Sequence, residues 1–201
     1  MKTTRFENSE DWLAARAGKI TGTRLKDIVV KRGTGKKIGF YELIAERLFS
    51  PPDGEDPMER GTRLQDEALD AFCAETGKKV KRELAFWQRE ENENIAISPD
   101  AAIGKTEAVE VKCLSSARHL EAYLTQQVPD DYKYQTLQYF IVNDKLKTLH
   151  VVFYDPRVSV KPYFRLRIDE KDIREESTEL LAYERETLRE VDEIVKKLSG
   201  F

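Results

Sequence analysis

Two short stretches of sequence decide the fold: Ser98-Pro99-Asp100, and after it Ala108-Val109-Glu110-Val111-Lys112-Cys113. The first closes an apolar run that predicts a strand over residues 94–98, and the second predicts another strand. Side chains of a strand point alternately to opposite faces, so Glu110 and Lys112 are expected on one face and both valines on the other. An acidic and a basic side chain should therefore lie side by side.

Outward from these strands, helical and strand patterns follow one another along the chain. Helices are predicted where polar caps precede apolar residues at helical spacing, and strands where short apolar runs lie between turn signals. The predicted helices span residues 8–16, 21–30, 40–48, 63–75, 117–125, 132–142 and a long C-terminal stretch, and the other predicted strands span 80–87, 149–154 and 163–168. Because 201 residues can bury one substantial core, residues 1–201 are expected to form one α/β domain.

The composition is typical of a folded protein in a reducing compartment. Apolar residues make up 40% of the chain and charged residues 35%. The longest apolar runs fall far short of the roughly 20 residues that cross a membrane, and the polar start predicts no export signal. With two Cys and two His residues, neither a disulfide framework nor a zinc site is expected.

The charge of the chain is unevenly distributed, although its formal net value is only −3. Residues 1–50 carry 11 Lys/Arg against 6 Asp/Glu, whereas residues 169–201 carry 6 against 11. A basic N-terminal face could meet phosphates while the acidic tail lies elsewhere. A solvated surface without a partner is the alternative interpretation.

The side chains of Asp100, Glu110 and Lys112 together suit phosphodiester hydrolysis. That reaction at neutral pH needs a divalent cation, and Mg²⁺ prefers carboxylate oxygens. If the end of the first strand lies beside the second, both carboxylates can share a cation while Lys112 orients the attacking water. The alternative is an exposed ion pair on a strand. A similar motif, Asp131-Tyr132-Lys133, lies in a predicted loop before a helix and has no strand partner.

These residues resemble the PD-(D/E)XK nuclease superfamily, and within it the YqaJ-type viral recombinases typified by the bacteriophage lambda exonuclease. The resemblance extends from about residue 11 to 138 and includes Trp12 with Arg16 and Gly18, Ile20-Thr21-Gly22-Thr23, Arg60-Gly61-Thr62 with Ala68, and Tyr132 with Gln135. It implies a restriction-endonuclease-like core, in which helices flank a mixed central sheet. It also implies a Mg²⁺ cofactor, for which Mn²⁺ can substitute.

In that family, duplex DNA is digested from its 5′ end. Arg16 and Thr23 match the positions that bind the terminal 5′-phosphate, and the fork of an Arg side chain suits phosphate. Thr21 belongs to the same motif. Because Thr23 lies at the start of the predicted second helix, it is also expected to cap that helix. Trp12 could stack on a base, although an aromatic residue at helical spacing more often packs in the core.

Further residues are predicted to contact the metal ion or the DNA. Gln135 could touch a metal-bound water or DNA, with a plain surface position as the alternative. Val111, inside the second motif, is predicted to help hold the metal ion. Lys36 and Lys37 could grip the DNA backbone, with a solvated loop as the alternative.

One position departs from the resembled family. A Glu that helps to bind metal usually follows the Gly-Thr motif, and this chain has Gln65 there; a second Gln is replaced by Leu137. Helical spacing places Gln65 on the inward face with Ala68 and Leu69. Gln65 is therefore predicted to line the metal site without contributing charge.

The resemblance also bears on partners and leaves three functions open. Its members form trimeric rings around DNA and act with a single-strand annealing protein, so a homotrimer that binds duplex ends in the cytoplasm of a bacterial or phage-infected cell is expected. The leading hypothesis is an exonuclease that resects DNA for recombination. The alternatives are an endonuclease of the same superfamily and a catalytically weak protein that binds DNA ends.

Overall fold

A computed structural model of the chain describes residues 1–30, 36–37, 39–40, 43, 59–114 and 116–200, apart from the side chains of 59–63 and 116–117. These residues form eight strands, five α-helices and one 3-10 turn. The strands are β1 (Lys2–Arg5), β2 (Ile20–Thr21), β3 (Ala85–Gln88), β4 (Ile95–Ile97), β5 (Ala101–Ile103), β6 (Glu107–Lys112), β7 (Thr148–Tyr154) and β8 (Tyr163–Asp169). The helices are α1 (Ser9–Arg16), α2 (Glu59–Thr76), α3 (Ser116–Thr125), α4 (Asp130–Val142) and α5 (Glu170–Leu198), and a 3-10 turn spans Leu25–Asp27.

The strands form two four-stranded sheets, which confirms the predicted mixture of α and β elements. One sheet has the order β1-β3-β4-β2 and the other the order β5-β6-β7-β8. Both are mixed, since β2 runs parallel to β4 and β6 runs parallel to β7, while the other pairs are antiparallel. The chain passes from the first sheet to the second between β4 and β5.

Helix α2 covers one face of the second sheet because its apolar stripe meets strands β6 and β7. Leu69 and Phe72 are buried there in one cluster with Val109 and Val152. Full burial of a side chain such as Phe72 contributes about 1.5–3 kcal/mol. Helices α4 and α5 pack on each other in the larger core. The middle and end of strand β6 are thus enclosed, and Glu110 and Lys112 lie in the interior of the protein.

The predicted helix over residues 21–30 is wrong. Ile20 and Thr21 form β2, which pairs with β4, and only the short 3-10 turn follows. Leu25 and Ile28 have helical spacing and are buried, so the apolar pattern was correct while the type of element was not. Pairing with β4 satisfies the backbone groups of β2, and this tertiary contact overrides local helix propensity.

Strands β1 and β5 were missed, and the strand predicted over 80–87 is confined to Ala85–Gln88. Strand β5 contains two alanines, which are poor strand formers in isolation. Its pairing with β6 makes β5, and not the predicted strand over 94–98, the hairpin partner of the second motif. The helix predicted over 40–48 lies largely outside the described residues, although Phe40 and Leu43 are buried.

Two further observations concern the environment of the protein. Among the helices that the structure describes, none is long and apolar enough to cross a membrane. Cys73 and Cys113 are both free thiols, and burial raises the pKa of Cys113 to about 11. The Cys113 thiol is therefore protonated at neutral pH and is a poor nucleophile.

Candidate active site

The tripeptide Ser98-Pro99-Asp100 forms the connection between the two sheets, from the end of β4 to the start of β5. Pro99 has no backbone N–H to donate to a ladder, so strand pairing is interrupted there. The hydroxyl of Ser98 accepts a hydrogen bond from Nε1 of Trp12 in α1 at 2.9 Å. Asp100 instead contacts β6 and α2. This short connection thus places Ser98 against α1 and Asp100 against β6 and α2.

The carboxylate of Asp100 is held from two sides. Its Oδ2 accepts a hydrogen bond from the backbone N–H of Val111 at 2.6 Å, and its Oδ1 accepts one from Nε2 of Gln65 at 2.9 Å. Burial, and next the negative charge of Glu110, raise the pKa of Asp100 well above its ordinary value. Ionisation of both carboxylates at this depth is favoured only when positive charge lies beside them.

Glu110 lies at the centre of a hydrogen-bonded cluster. Its Oε1 accepts hydrogen bonds from Nζ of Lys112 at 2.6 Å and from Nε2 of Gln135 at 2.5 Å. Its Oε2 accepts one from the hydroxyl of Tyr139. Nζ of Lys112 also donates to Oε1 of Gln135 at 2.7 Å and lies 4.4 Å from the ring centre of Tyr132.

The predicted placement of Glu110 and Lys112 on one face of the strand is confirmed by their direct contact. Glu110 is 5% exposed and Lys112 is 9% exposed, so the alternative of a surface ion pair is wrong. A charged pair at this depth is costly to desolvate and is weak evidence for a purely stabilising role. Gln135 is likewise part of the cluster and not a plain surface residue.

The donor atoms of this cluster fit a hard divalent cation. Mg²⁺ and Mn²⁺ prefer oxygen ligands, and Mg²⁺ is commonly bound through one or two carboxylates and several waters. In the described part of the chain, no three His, Cys, Asp or Glu side chains converge. Among the described residues, ligands beyond Asp100 and Glu110 are therefore neutral, and Gln65 and the backbone of Val111 are the candidates.

Gln65 occupies the inward position that helical spacing predicts. It hydrogen-bonds to Asp100, and Ala68 and Leu69 on the same stripe are 0% and 1% exposed. The Asp66 side chain is 64% exposed and forms an ion pair with Arg82. Asp66 lines the same cleft but pairs with Arg82, and the Glu67 carboxylate accepts a hydrogen bond from the hydroxyl of Tyr154, so neither residue takes the place of the missing carboxylate beside Asp100.

A second group of polar side chains surrounds Arg16. Its Nη2 donates to Oγ1 of Thr23 at 3.0 Å and its Nη1 donates to Oγ of Ser98 at 3.3 Å, while the guanidinium lies 4.5 Å from the ring centre of Trp12. These partners are neutral. Burial, and next the positive charge of Arg24, lower the pKa of Arg16, and two neighbouring cations favour an anion between them. The pocket suits a phosphate.

The loop after β2 is pressed against α4 at the active site. A Cβ atom on Gly22 would lie 3.0 Å from Cγ of Gln135, so a larger residue would displace the amide. Thr21 is buried in β2, and its Oγ1 lies 3.5 Å from Oγ1 of Thr23. The predicted capping role of Thr21 or Thr23 is wrong, because no side chain caps the 3-10 turn that follows.

One cleft of about 510 Å³ joins the carboxylates to the Arg16 pocket. It brings together most of the residues singled out from the sequence: Trp12, Arg16, Thr23, Gln65, Asp100, Glu110, Val111, Lys112 and Gln135. These come from α1, α2, β6, α4 and the two inter-strand connections. The cleft has an acidic end and a basic end, as a site for a metal ion and a phosphate requires.

Lys36 and Lys37 do not line this cleft. Lys36 forms an ion pair with Glu190 of α5 and lies 4.9 Å from the ring centre of Phe40. Lys37 donates to the backbone carbonyl of Lys26 at 3.0 Å. The basic N-terminal region is therefore partly neutralised by the acidic C-terminal helix, contrary to the expected separation of the two.

The expected core position of Trp12 is also wrong. Helix α1 has no buried residue, and the indole forms part of the cleft wall. The reason is that α1 is short and packs along its Trp12–Arg16 edge on Ser98, leaving Leu13 42% exposed. The sequence did contain a signal for a place in the cleft wall: Trp12 lies about one helical turn before Arg16, on the same face of α1.

Two residues of the site were missed in the sequence. The hydroxyl of Ser98 accepts hydrogen bonds from both Trp12 and Arg16, and the hydroxyl of Tyr139 donates one to Glu110. Tyr132, Gln135 and Tyr139 share one face of α4, so helical spacing from the first two could have indicated the third. The first motif contains Ser98, yet nothing in the sequence shows that α1 lies against it.

Comparisons with known proteins show the family of the chain. Residues 11–146 match the YqaJ-like viral recombinase domain. The chain belongs to this family. A search of curated proteins finds no match.

Among solved structures, the family member resembles the alkaline exonuclease LHK-Exo from Laribacter hongkongensis with 28% identity and a TM-score of 0.76, over 95% of this chain and 98% of that one. A structure of LHK-Exo in complex with dAMP matches equally well. A phage-related exonuclease from Haemophilus somnus 129PT shares the fold, with 14% identity and a TM-score of 0.59 over 90% and 96% of the two chains. Family and fold together identify the chain as a nuclease of the recombination type.

Replacing Gln65 by Glu is expected to lower the Mg²⁺ concentration that half-maximal cleavage requires, by roughly 10-fold at most, since it adds a charged ligand to a site with few protein ligands. Glu is nearly isosteric with Gln, so packing against Leu69 should be preserved. Cleavage rates are measured against Mg²⁺ concentration at constant ionic strength, with Glu67→Gln as the control on the other side of α2. An unchanged or increased requirement would place Gln65 outside the metal site.

Proposed function

We propose that this nuclease is a Mg²⁺-dependent exonuclease that digests linear duplex DNA in the 5′-to-3′ direction and exposes single strands for phage-type homologous recombination. The observation that carries the proposal is that the carboxylate cluster and the Arg16 pocket open into the same cleft. A terminal phosphate bound at the basic end would direct the adjoining phosphodiester towards the acidic end. Holding the two groups in this way supplies the orientation that hydrolysis requires.

Asp100 and Glu110 would hold the cation, assisted by Gln65 and the backbone of Val111. When bound, the cation supplies neutralisation of charge at the scissile phosphate and a water of lowered pKa. Lys112 keeps its ammonium in the cluster through two hydrogen bonds to acceptors, Oε1 of Glu110 and Oε1 of Gln135. Its remaining N–H can orient the attacking water or stabilise the charge that develops on the phosphate. Gln135 fixes both partners by bonding to each.

Arg16 would bind the terminal 5′-phosphate with both arms of its guanidinium, and the hydroxyls of Thr23 and Ser98 would complete the pocket. Thr21 supports Thr23 from β2. Trp12 would contact the terminal nucleotide from the cleft wall. The similar enzyme LHK-Exo has been crystallised with dAMP, a nucleoside monophosphate, and this is the class of product that such an exonuclease releases.

The proposal extends to assembly and surroundings. Residues 1–201 form one nuclease domain, which acts at duplex ends as a homotrimeric ring beside a single-strand annealing protein in the cytoplasm of a bacterial or phage-infected cell. Lys36 and Lys37 contact the DNA backbone outside the cleft, where their charge adds affinity that weakens with salt. Mn²⁺ replaces Mg²⁺ because both take oxygen ligands.

The proposal is tested with linear duplexes labelled at the 5′ end or at the 3′ end. With Mg²⁺, the 5′ label is expected to appear first as a mononucleotide while the 3′ label stays in long fragments, and chelation should stop both reactions. Covalently closed circular duplex is the control substrate and should resist digestion. Rapid cleavage of the circle would instead indicate the endonuclease, and early release of the 3′ label would reverse the direction.

A further inference from the structure

The ring of Tyr139 is held rigidly beneath the carboxylate cluster. Tyr139 is 0% exposed, and its ring meets that of Trp87 from β3 edge-on, with centroids 6.2 Å apart and planes at 84°. Aromatic pairs prefer this arrangement, and together with burial it restricts the ring to one orientation. Packing therefore restricts the hydroxyl, which contacts both the carboxylate of Glu110 and the backbone of Asp100.

That hydroxyl controls which oxygen of Glu110 remains available. A carboxylate oxygen has about two acceptor sites. On Oε1 both are taken, by Lys112 and Gln135, whereas the described part of the chain offers Oε2 one donor, the Tyr139 hydroxyl. One acceptor site on Oε2 is left, and its direction is set by the Tyr139 hydroxyl.

The carboxylate of Asp100, on the opposite side of the site, also keeps acceptor sites for a cation. Its Oδ1 accepts from Gln65 and its Oδ2 accepts from the backbone of Val111, so each oxygen retains an acceptor site. A cation shared by the two carboxylates therefore has to meet Glu110 at Oε2. The hydroxyl of Tyr139 is the described partner that orients this atom.

We infer that Tyr139 is a positioning residue of the catalytic centre: by donating to Oε2 of Glu110 it orients the carboxylate that holds the divalent cation, and it thereby sets metal affinity and turnover. The inference rests on the proposed metal-dependent function. Partners that orient a ligand in this way typically change metal affinity or activity by about 10- to 100-fold when removed. Tyr139 itself contacts neither the DNA nor the cation.

The test replaces Tyr139 by Phe, which keeps the ring against Trp87 and removes only the hydroxyl. The matched control is Tyr183→Phe, because the Tyr183 hydroxyl donates to the carbonyl of Ile28 at 3.1 Å and accepts from the N–H of Val30 at 3.2 Å, away from the cleft. Binding of Mn²⁺ to the DNA-free protein is measured by electron paramagnetic resonance. Steady-state cleavage with Mg²⁺ supplies kcat and KM, and thermal melting checks folding.

Tyr139→Phe is expected to weaken Mn²⁺ binding about 10-fold and to lower kcat by a similar factor, with KM for DNA unchanged. Tyr183→Phe should lose about as much thermal stability as Tyr139→Phe does. It should keep the wild-type Mn²⁺ affinity, kcat and KM for DNA. A folded Tyr139→Phe with wild-type Mn²⁺ affinity and kcat overturns the inference and leaves Tyr139 a packing residue. If the wild-type protein binds no Mn²⁺ and cleaves nothing with Mg²⁺, the proposed function fails and the inference fails with it.

A double-mutant cycle on Mn²⁺ affinity separates action through Glu110 from a general loosening of the fold. In a Glu110→Gln background, Tyr139→Phe is expected to add little further loss, because the carboxylate that it orients is already absent. A full additional loss of about 10-fold in that background would contradict action through Glu110.

Discussion

Lys112→Ala is expected to lower kcat by about 100- to 1000-fold while duplex binding is retained, because the substitution removes a preorganised cation from a buried site. Lys112 is the cation in direct contact with Glu110, and Gln135 holds its ammonium on the other side. If Lys112 acts only in the transition state, its removal leaves the affinity for intact DNA unchanged. Single-turnover cleavage with Mg²⁺ and filter binding with Ca²⁺ measure the two effects separately.

Removing one partner of a buried ion pair also costs about 3–5 kcal/mol, so folding has to be checked by thermal melting. Glu110 retains hydrogen bonds from Gln135 and Tyr139 in this variant, which limits the loss. Lys112→Met preserves the aliphatic stem against Tyr132 and serves as a second variant. The control is Lys133→Ala, which removes a surface Lys of α4 that pairs with Glu176. Near-normal turnover in a folded Lys112→Met protein would reject the assigned centre.

Arg16→Ala is expected to abolish the preference of the enzyme for duplexes with 5′-phosphate over 5′-hydroxyl ends. In the wild-type protein we expect phosphorylated ends to be digested roughly 10- to 100-fold faster, which corresponds to one or two hydrogen bonds to a charged group. The neutral hydroxyls of Thr23 and Ser98 are not expected to sustain this preference without the guanidinium. Initial rates are compared on paired substrates that differ only in the terminal group.

Arg118→Ala is the matched control for charge, since Arg118 is an exposed residue of α3 that pairs with Glu121. It should leave the ratio of the two rates unchanged. Equal rates on both kinds of end in the wild-type protein would remove the phosphate pocket from the mechanism while leaving the carboxylate site untouched. Loss of activity on both substrates in Arg16→Ala would indicate that Arg16 supports the fold of the cleft.

Local patterns were sufficient for much of the fold. A polar residue before a helical segment, either Asn8 or Ser9, predicts helix α1, and the structure confirms the helix and shows Asn8 as its cap. The inward face of α2 follows from helical spacing, and the pairing of Glu110 with Lys112 follows from the alternation of a strand. Each of these features depends on residues within a few positions of one another.

Features that depend on distant partners could not be predicted in this way. Strand β2 exists because β4 lies beside it, and Thr21 and Thr23 were assigned to a helix for lack of that information. Strand β1 is polar and pairs with β3, which lies far along the chain. The ion pair of Lys36 with Glu190 was likewise not predicted, because the packing of α5 creates that contact.

For the candidate active site, the sequence alone predicted which residues would lie together: Asp100, Glu110 and Lys112 stand at spacings that the geometry of strands converts into a cluster. How these side chains are held depends on the packing of elements that are distant in the chain. Tyr139, Gln135 and Ser98 join the site because α4 and α1 pack on the two sheets, and hydrogen bonds across such contacts depend on distances between elements that local spacing does not specify. The physical reason is that strand and helix periodicity fix directions within an element, whereas burial and packing fix the positions of elements relative to one another.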